Sequence, residues 1–435
     1  MALNKKPYKG TRDFFPADKR VQDYIFSKMR ESASLFAFEP YDGPMLEEVA
    51  LYMAKSGEEL INDQIYSFTD RGDRFVAIRP EMTPTVARMV AQVHKEIPKP
   101  IKWFSIPNLM RYEKPQRGRL REHWQFNCDI FGATGRSGEI EILQLIVKLF
   151  ESFGANKDQF EILINDRDIV NAVFNDLMKV DEETSLKLYK IIDRAKKVSA
   201  EALQKMISEL SLEPASEEIL KNYLSVQSFE DLFKFLEKNE QTDKLTSFKE
   251  LSDVASAIGL ADYLVYDPTI VRGLDYYTGI VFEVFDKHPD NRRALCGGGA
   301  YANLLKIFNE NPVAGVGFGL GDVTLTDFLK THDLLPDLSK NDVDLYLTFQ
   351  TESALAKNFE LASQIRELGF KVSNSLSPIK FKKVFTLGDK QGAKFISMLG
   401  ENELEQKILL IKNTKTKESF EVKFDELEKL KDILS

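Results

Sequence analysis

Residues Ile101–Gly132, IKWFSIPNLMRYEKPQRGRLREHWQFNCDIFG, decide the fold class. Ile101 to Ile106 and Trp124 to Phe131 are apolar runs of strand length, and the loop between them holds Arg111, Lys114, Arg117, Arg119 and Arg121. Such clustered cations can hold several phosphates at once, arginine doing so bidentately, although a solvated hairpin tip has the same composition. Gln125 and Asp129 stand four apart, so on a strand they project from one face. Polar side chains sharing a face amid Trp124, Phe126, Ile130 and Phe131 suggest a wall turned toward a ligand.

Outward from this hairpin the chain divides by pattern. Residues 1–167 mix helix and strand: Val21 to Phe36 and Ile140 to Phe153 have helical spacing, Thr83 to Val93 reads as helix, and Ile65 to Phe68 and Phe75 to Ile78 are strand-like. Residues 168–262 are rich in Lys, Glu, Leu and Ala and nearly free of Gly, which predicts a helical insertion. Residues 263–332 return to strand and glycine, with Val281 to Phe285, CGGGAY at 296–301 and GVGFGLG at 315–321, and are expected to complete the first sheet. Residues 341–435 alternate strand and helix and predict a separate α/β module.

Composition narrows the class. The chain has 435 residues, enough for two or three domains, with 43% hydrophobic and 29% charged residues, as in soluble globular proteins. No apolar run reaches the roughly 20 residues a membrane span requires, so no membrane association is expected. The N-terminal lysines have no apolar run behind them and do not read as a signal peptide. Cys128 and Cys296 stand far apart in apolar surroundings, which suits the reducing cytoplasm. The four histidines show no ligand spacing, so no protein-built metal site is expected. A net charge of -9 leaves nucleic-acid binding to local basic patches such as Lys380 to Lys394.

Three further segments carry chemistry. In RPEMTPT (79–85), Thr83 or Thr85 fits a helix cap, whereas Glu81 suits a substrate ammonium group. In TIVRGLDYYTGIVFEVF (269–285), Arg272, Asp275, Tyr276 and Tyr277 form a polar and aromatic cluster suited to a small heteroaromatic ring, or a hairpin with aromatic cross-strand pairs. The glycine runs mark close approach by a ligand or a second backbone and match neither a P-loop nor a dinucleotide fingerprint.

Together KGTRDFFP, YDGPMLEE, RPEMTPT, RYEKPQRGR and RGLDYYTG occur in the order of the class II aminoacyl-tRNA synthetases, and the chain closely resembles the histidyl family over nearly its whole length. The resemblance implies an α/β multi-domain protein: an antiparallel sheet flanked by helices, a helical insertion and a C-terminal α/β anticodon-binding domain. It implies a homodimer formed through the segment around Pro44, and ATP with Mg²⁺, L-histidine and tRNA(His) as ligands. By position it implies ATP binding by Arg111, Glu113, Arg119 and Arg121, and histidine binding by Glu81, Thr83, Gln125, Asp129, Arg272, Tyr276 and Tyr277. Arg111 and Arg272 would be catalytic, and Gln116, Arg117, Lys382, Lys383 and Lys390 would touch tRNA.

Two positions depart from the family pattern: Thr324 stands where a phosphate-binding arginine is expected, and Ala300 replaces the arginine that usually precedes Tyr301. Arg119 and Arg121 are the candidate replacements. The departures also fit a non-catalytic paralogue, the regulatory subunit of ATP phosphoribosyltransferase, but that paralogue generally lacks the C-terminal module.

Overall fold

The basic loop joins strands of one large sheet in the computed structural model, which describes residues 3–54, 60–195, 198–271 and 276–434. In chain order these strands are β1 (Glu39–Pro40), β2 (Ile101–Ser105), β3 (Asn108–Met110), β4 (Glu122–Phe131), β5 (Phe160–Asp166), β6 (Leu264–Tyr266), β7 (Ile280–Asp286), β8 (Cys296–Tyr301) and β9 (Gly315–Gly321). Their spatial order is β1-β2-β4-β9-β8-β7-β5-β6, with β3 also paired to β4. The β1–β2 and β5–β6 pairs at the edges are parallel, and the pairs between them are antiparallel.

The two-residue period of a strand gives the sheet two unlike faces. Phe126, Cys128 and Ile130 of β4 and Val316, Phe318 and Leu320 of β9 are buried on one face. That face packs on the helices Ser137–Ser152 and Asp322–Thr331. The first of these helices buries Ile142, Ile146, Leu149 and Phe150 at helical spacing, and Gly154, at φ +89°, follows its end. Phe126 meets Phe104 and Phe318 edge-on at 6.1 and 5.6 Å. Truncating such a ring to alanine typically costs about 3–5 kcal/mol, so this layer is a main source of rigidity beneath the site. On the other face lie Gln125, Asn127 and Asp129, beside Gly317 and Gly319 and then Gly297 and Gly299.

Residues between β5 and β6 form helices that include Glu182–Arg194, Ala200–Ser208, Pro214–Leu224, Phe229–Lys238 and Thr242–Ala257. Asp181, Ser199 and Ser228 cap three of them. Their core contains Phe174, Leu188, Tyr223 and Phe248, and the hydroxyls of Tyr223 and Tyr266 donate to Asn165 of β5 at 3.2 and 2.9 Å. A small antiparallel sheet of Leu46–Glu48, Phe75–Ile78 and Tyr66–Thr69 leaves Met45, Leu46, Phe68 and Phe75 exposed.

The chain divides into two compact units: Met1–Asp13 with Gln22–Leu335, and Phe14–Val21 with Pro336–Ser435. The second has a five-stranded sheet in the order Val372–Asn374, Val343–Phe349, Ala393–Leu399, Ile408–Asn413, Ser419–Lys423. Its helix Phe381–Gln391 buries Val384 and Gly388 and exposes Lys382, Lys383 and Lys390. Among the described residues, no helix is long and apolar enough to cross a membrane.

Candidate active site

The glycines of β8 and β9 make the floor of the site. Gly299 pairs with Gly317, and Gly297 with Gly319, so the face holding Asp129 and Gln125 is bare there. The surrounding contacts show that larger residues would not fit. A Cβ on Gly317 would lie 2.4 Å from Asp129 Oδ1, one on Gly319 2.7 Å from Gln125 Cδ, and one on Gly299 2.7 Å from Tyr277 Cδ1.

At one end of this floor the Asp129 carboxylate is buried and accepts a short hydrogen bond from the Tyr301 hydroxyl. Burial pushes the Asp129 carboxyl up to about 7, with the Tyr301 hydrogen bond acting in the opposite direction. Tyr276 packs against Tyr301 with ring centroids 5.9 Å apart and lies 4.7 Å from the ring of Tyr277. The buried hydroxyls of Tyr41 and Ser105 neighbour each other, and burial, then the Asp129 charge, holds the Tyr41 phenol well above its ordinary value, with the Ser105 hydroxyl acting the other way. This end of the floor is thus aromatic and supplied with hydroxyls around the Asp129 carboxyl.

At the other end opens a cleft of about 460 Å³ lined by Arg111, Glu113, Arg119, His123, Gln125, Glu283 and Arg293, among others. Arg111 Nε donates to Pro80 O at 2.8 Å, which fixes the guanidinium beside the RPEMTPT segment. Glu113 is buried and binds Arg119 through both oxygens. The turn between them closes by reciprocal Gln116–Arg119 backbone bonds of 2.9 Å and places Gly118 at φ +70°. Burial, then the charges of Arg111 and Arg12, lower His123 to about 3, so the imidazole is neutral.

Glu81 is buried just before the helix Thr83–Val93. The cap expected of Thr83 or Thr85 is absent: Met82 is the N-cap residue, no side chain caps the helix, and the Thr85 hydroxyl donates to Glu47 at 3.2 Å. Arg79 ties this segment down by donating to Asp42 Oδ1, Gly43 O and Asn108 O at 2.8, 2.8 and 3.0 Å.

Two expectations about cations change. Arg121 does not line the cleft: it lies 4.0 Å over the Tyr112 ring and donates to Tyr8 Oη and Glu113 O at 2.8 and 3.1 Å. Two aromatic faces and the space left by Gly10 hold the guanidinium on the loop's far side, so it cannot replace an arginine at 324. Ala300 lies on the opposite face of the sheet from Gly299 and Tyr301, so it takes no cation out of the cleft. Arg117 is exposed and donates to Asn291 Oδ1 at 2.9 Å, and Lys114 and Gln116 are also exposed. Arg272 and Asp275 lie outside the described residues. Tyr301, Tyr41, Ser105 and Arg293 were not expected from sequence. Of these, only Tyr301 carried a signal, being an aromatic residue directly after a glycine run.

A mainly antiparallel sheet with a glycine floor, a polar aromatic pocket and an adjoining arginine cleft defines a class II aminoacyl-tRNA synthetase. The histidyl-tRNA synthetase family model matches residues 10–323, and an anticodon-binding domain model matches 342–431. The chain is 41% identical to a histidine–tRNA ligase of Leptospira biflexa, covering 100% of this chain and 99% of the relative. It is 35% identical to the chloroplastic/mitochondrial histidine–tRNA ligase of Arabidopsis thaliana, over 98% of this chain and 86% of that one. Its fold is similar to a crystal structure of histidyl-tRNA synthetase from Nostoc sp. PCC 7120, with TM-score 0.80, 21% identity and full coverage of both chains. The chain belongs to the histidyl-tRNA synthetase family and is an aminoacyl-tRNA ligase.

Proposed function

We propose that the glycine-floored pocket holds histidine and the adjoining cleft holds ATP, so that the histidine carboxylate meets the α-phosphorus where they join. Asp129 and Tyr277 accept from and donate to the imidazole nitrogens, and Glu81, Thr83 and Gln125 take the ammonium group. Arg111 holds the α-phosphate, and Arg272 bridges it to the histidine carboxylate. Glu113 lies near the adenine, and Arg119, which is bound to it, faces the phosphates. Glu283, facing the cleft from β7, would supply a hard carboxylate oxygen to a Mg²⁺ ion that entered with ATP.

In the first step a carboxylate oxygen attacks the α-phosphorus in line, the bond to the bridging oxygen breaks, and pyrophosphate leaves. In the second a terminal ribose hydroxyl of tRNA attacks the carbonyl carbon and AMP leaves. The chain's contribution is to bring two anions together and neutralise charge that grows in the transition state. A site built around a buried Asp and Tyr also rejects apolar analogues, because their binding would leave those groups unpaired.

The observation that carries this reading is the shared strand face: Asp129 in the pocket and Gln125 in the cleft lie on β4 above one run of glycines. Gln116 and Arg117 on the loop, and Lys382, Lys383 and Lys390 in the second unit, are the proposed tRNA contacts. The exposed Met45, Leu46, Phe68 and Phe75 support pairing of two copies across the small sheet near Pro44. We place the reaction in the cytoplasm. Exchange of labelled pyrophosphate into ATP, assayed with each amino acid, tests the assignment. Histidine alone should support it. No exchange with histidine, together with stimulation of a phosphoribosyltransferase, would establish the regulatory reading instead. The match of residues 342–431 to an anticodon-binding domain favours the ligase.

A further inference from the structure

We propose that Arg293 is the residue that holds the terminal phosphates of ATP in this chain, supplying from the β7–β8 hairpin the cation absent at position 324. The inference rests on the reading of the cleft as the ATP site and adds to it a residue that family position does not indicate.

The geometry places Arg293 and Thr324 at the same point. A Cβ on Gly118, at the turn of the basic loop, would lie 3.1 Å from Arg293 Cδ and 3.4 Å from Thr324 Cγ2. Both residues line the cleft together with Arg111 and Arg119. The bare Gly118 therefore lets the Arg293 stem pass between the loop and the helix Asp322–Thr331, and a side chain there would crowd it.

Its electrostatic setting suits an anion. Arg293 is half-buried and makes no hydrogen bond or ion pair among the described residues. Burial, then the neighbouring charge of Arg119, lower its proton affinity, with the charge of Glu113 acting the other way. Both Glu113 oxygens are already engaged by Arg119. A solvated surface arginine would have neither the burial nor the adjacent like charge. A cation kept partly out of water beside another cation is relieved when a polyanion arrives.

The hairpin is also fixed in place. Asp286 accepts from His288 N and Asn291 Nδ2 at 2.8 and 2.6 Å and contacts His332 Nε2 at 2.8 Å, while Asn291 Nδ2 also reaches Thr331 Oγ1 at 3.0 Å. The Thr324 hydroxyl donates to Leu295 O at 3.0 Å, two residues beyond Arg293. Thr324 thus positions the arm that carries the cation, where an arginine at 324 would reach into the cleft itself.

The test is histidine-dependent pyrophosphate exchange with Arg293→Ala, Arg293→Lys and the double variant Arg293→Ala/Thr324→Arg. Arg293→Ala should raise the KM for ATP roughly tenfold or more, the effect of losing one charge-assisted contact, with the KM for histidine changed by less than about twofold. Arg293→Lys should lie between, and Thr324→Arg should recover much of the loss. If wild type exchanges normally and Arg293→Ala keeps its ATP KM within about twofold, the proposal alone falls. A joint rise of both KM values with no rescue marks a structural role and also overturns it. Wild type without histidine-dependent exchange would overturn the reading of the cleft, and the proposal with it.

Discussion

Tyr301 donates its hydroxyl hydrogen to the buried carboxylate of Asp129 across the bare backbone of Gly317. The two are 172 residues apart in the chain and are brought together because β9 lies between β4 and β8. The carboxylate is buried, and the Tyr301 hydrogen bond offsets only part of its loss of hydration. The group we propose for reading histidine is thus one that the fold accommodates at a cost.

Asp129→Asn should stabilise the fold and weaken histidine binding. With its carboxyl raised to about 7, the folded state prefers the protonated acid. The destabilisation is absent below about pH 4, grows as pH rises through the unfolded and then the folded value, and is complete by about pH 8. Each tenfold change in proton affinity corresponds to about 1.4 kcal/mol, so the gain at pH 8 is on the order of 4 kcal/mol at most. Tm measured from pH 4 to 8 should show the variant drawing steadily above wild type from about pH 4 and levelling off near pH 8. A lower Tm for the variant at pH 8 would show that the charge is stabilising.

Tyr301→Phe removes the donor that lowers the Asp129 carboxyl, so that carboxyl should climb further. If the ionised form binds the imidazole, the pH below which the KM for histidine rises should move up by about one pH unit. Free histidine titrates identically in both assays, so the displacement between the profiles isolates the protein group. Coincident profiles would remove Tyr301 from this role.

Gly317→Ala and Gly319→Ala should fail differently. The Gly317 Cβ would meet backbone, Cys128 O at 2.7 Å, as well as the Asp129 carboxylate. That strain cannot be relieved by a rotamer change and should cost about 1–3 kcal/mol of stability. The three atoms nearest a Gly319 Cβ all belong to the Gln125 side-chain amide, at 2.7, 2.8 and 2.9 Å, and that amide can move. Gly319→Ala should therefore melt near wild type but raise the KM for histidine or ATP severalfold, because Gln125 is displaced into the site. Paired thermal melts and exchange kinetics distinguish the two.

The strand period made Gln125 and Asp129 legible as neighbours on one face, and the density of glycine at 296–321 made a close approach there legible too. The partners across the sheet were not. Tyr301 and Arg293 reach the site through strand order, which a single sequence does not encode locally. Arg293 stands in HPDNRR, a composition indistinguishable from a solvated hairpin tip. The place of Arg121 is not legible either, because a basic loop does not reveal which cation folds back and its partner Tyr8 lies far away in the sequence. The strand β5, FEILIND, is not legible as a strand, because so short an apolar run has no period that separates strand from helix.

The C-terminal unit offers the last test. Lys382, Lys383 and Lys390 are exposed on the helix whose other side buries Val384 against the sheet, so neutralising them should leave that core intact. Each phosphate contact to a single strand contributes roughly 0.7 to the slope of log affinity against log salt. Replacing all three lysines with alanine should flatten that slope for tRNA by up to about 2 and weaken binding most at low salt. Pyrophosphate exchange, which uses no tRNA, provides the reference for an intact catalytic unit. An unchanged salt slope with unchanged affinity would mean that the three ammonium groups face only solvent, and the tRNA path would then have to be sought elsewhere on this unit.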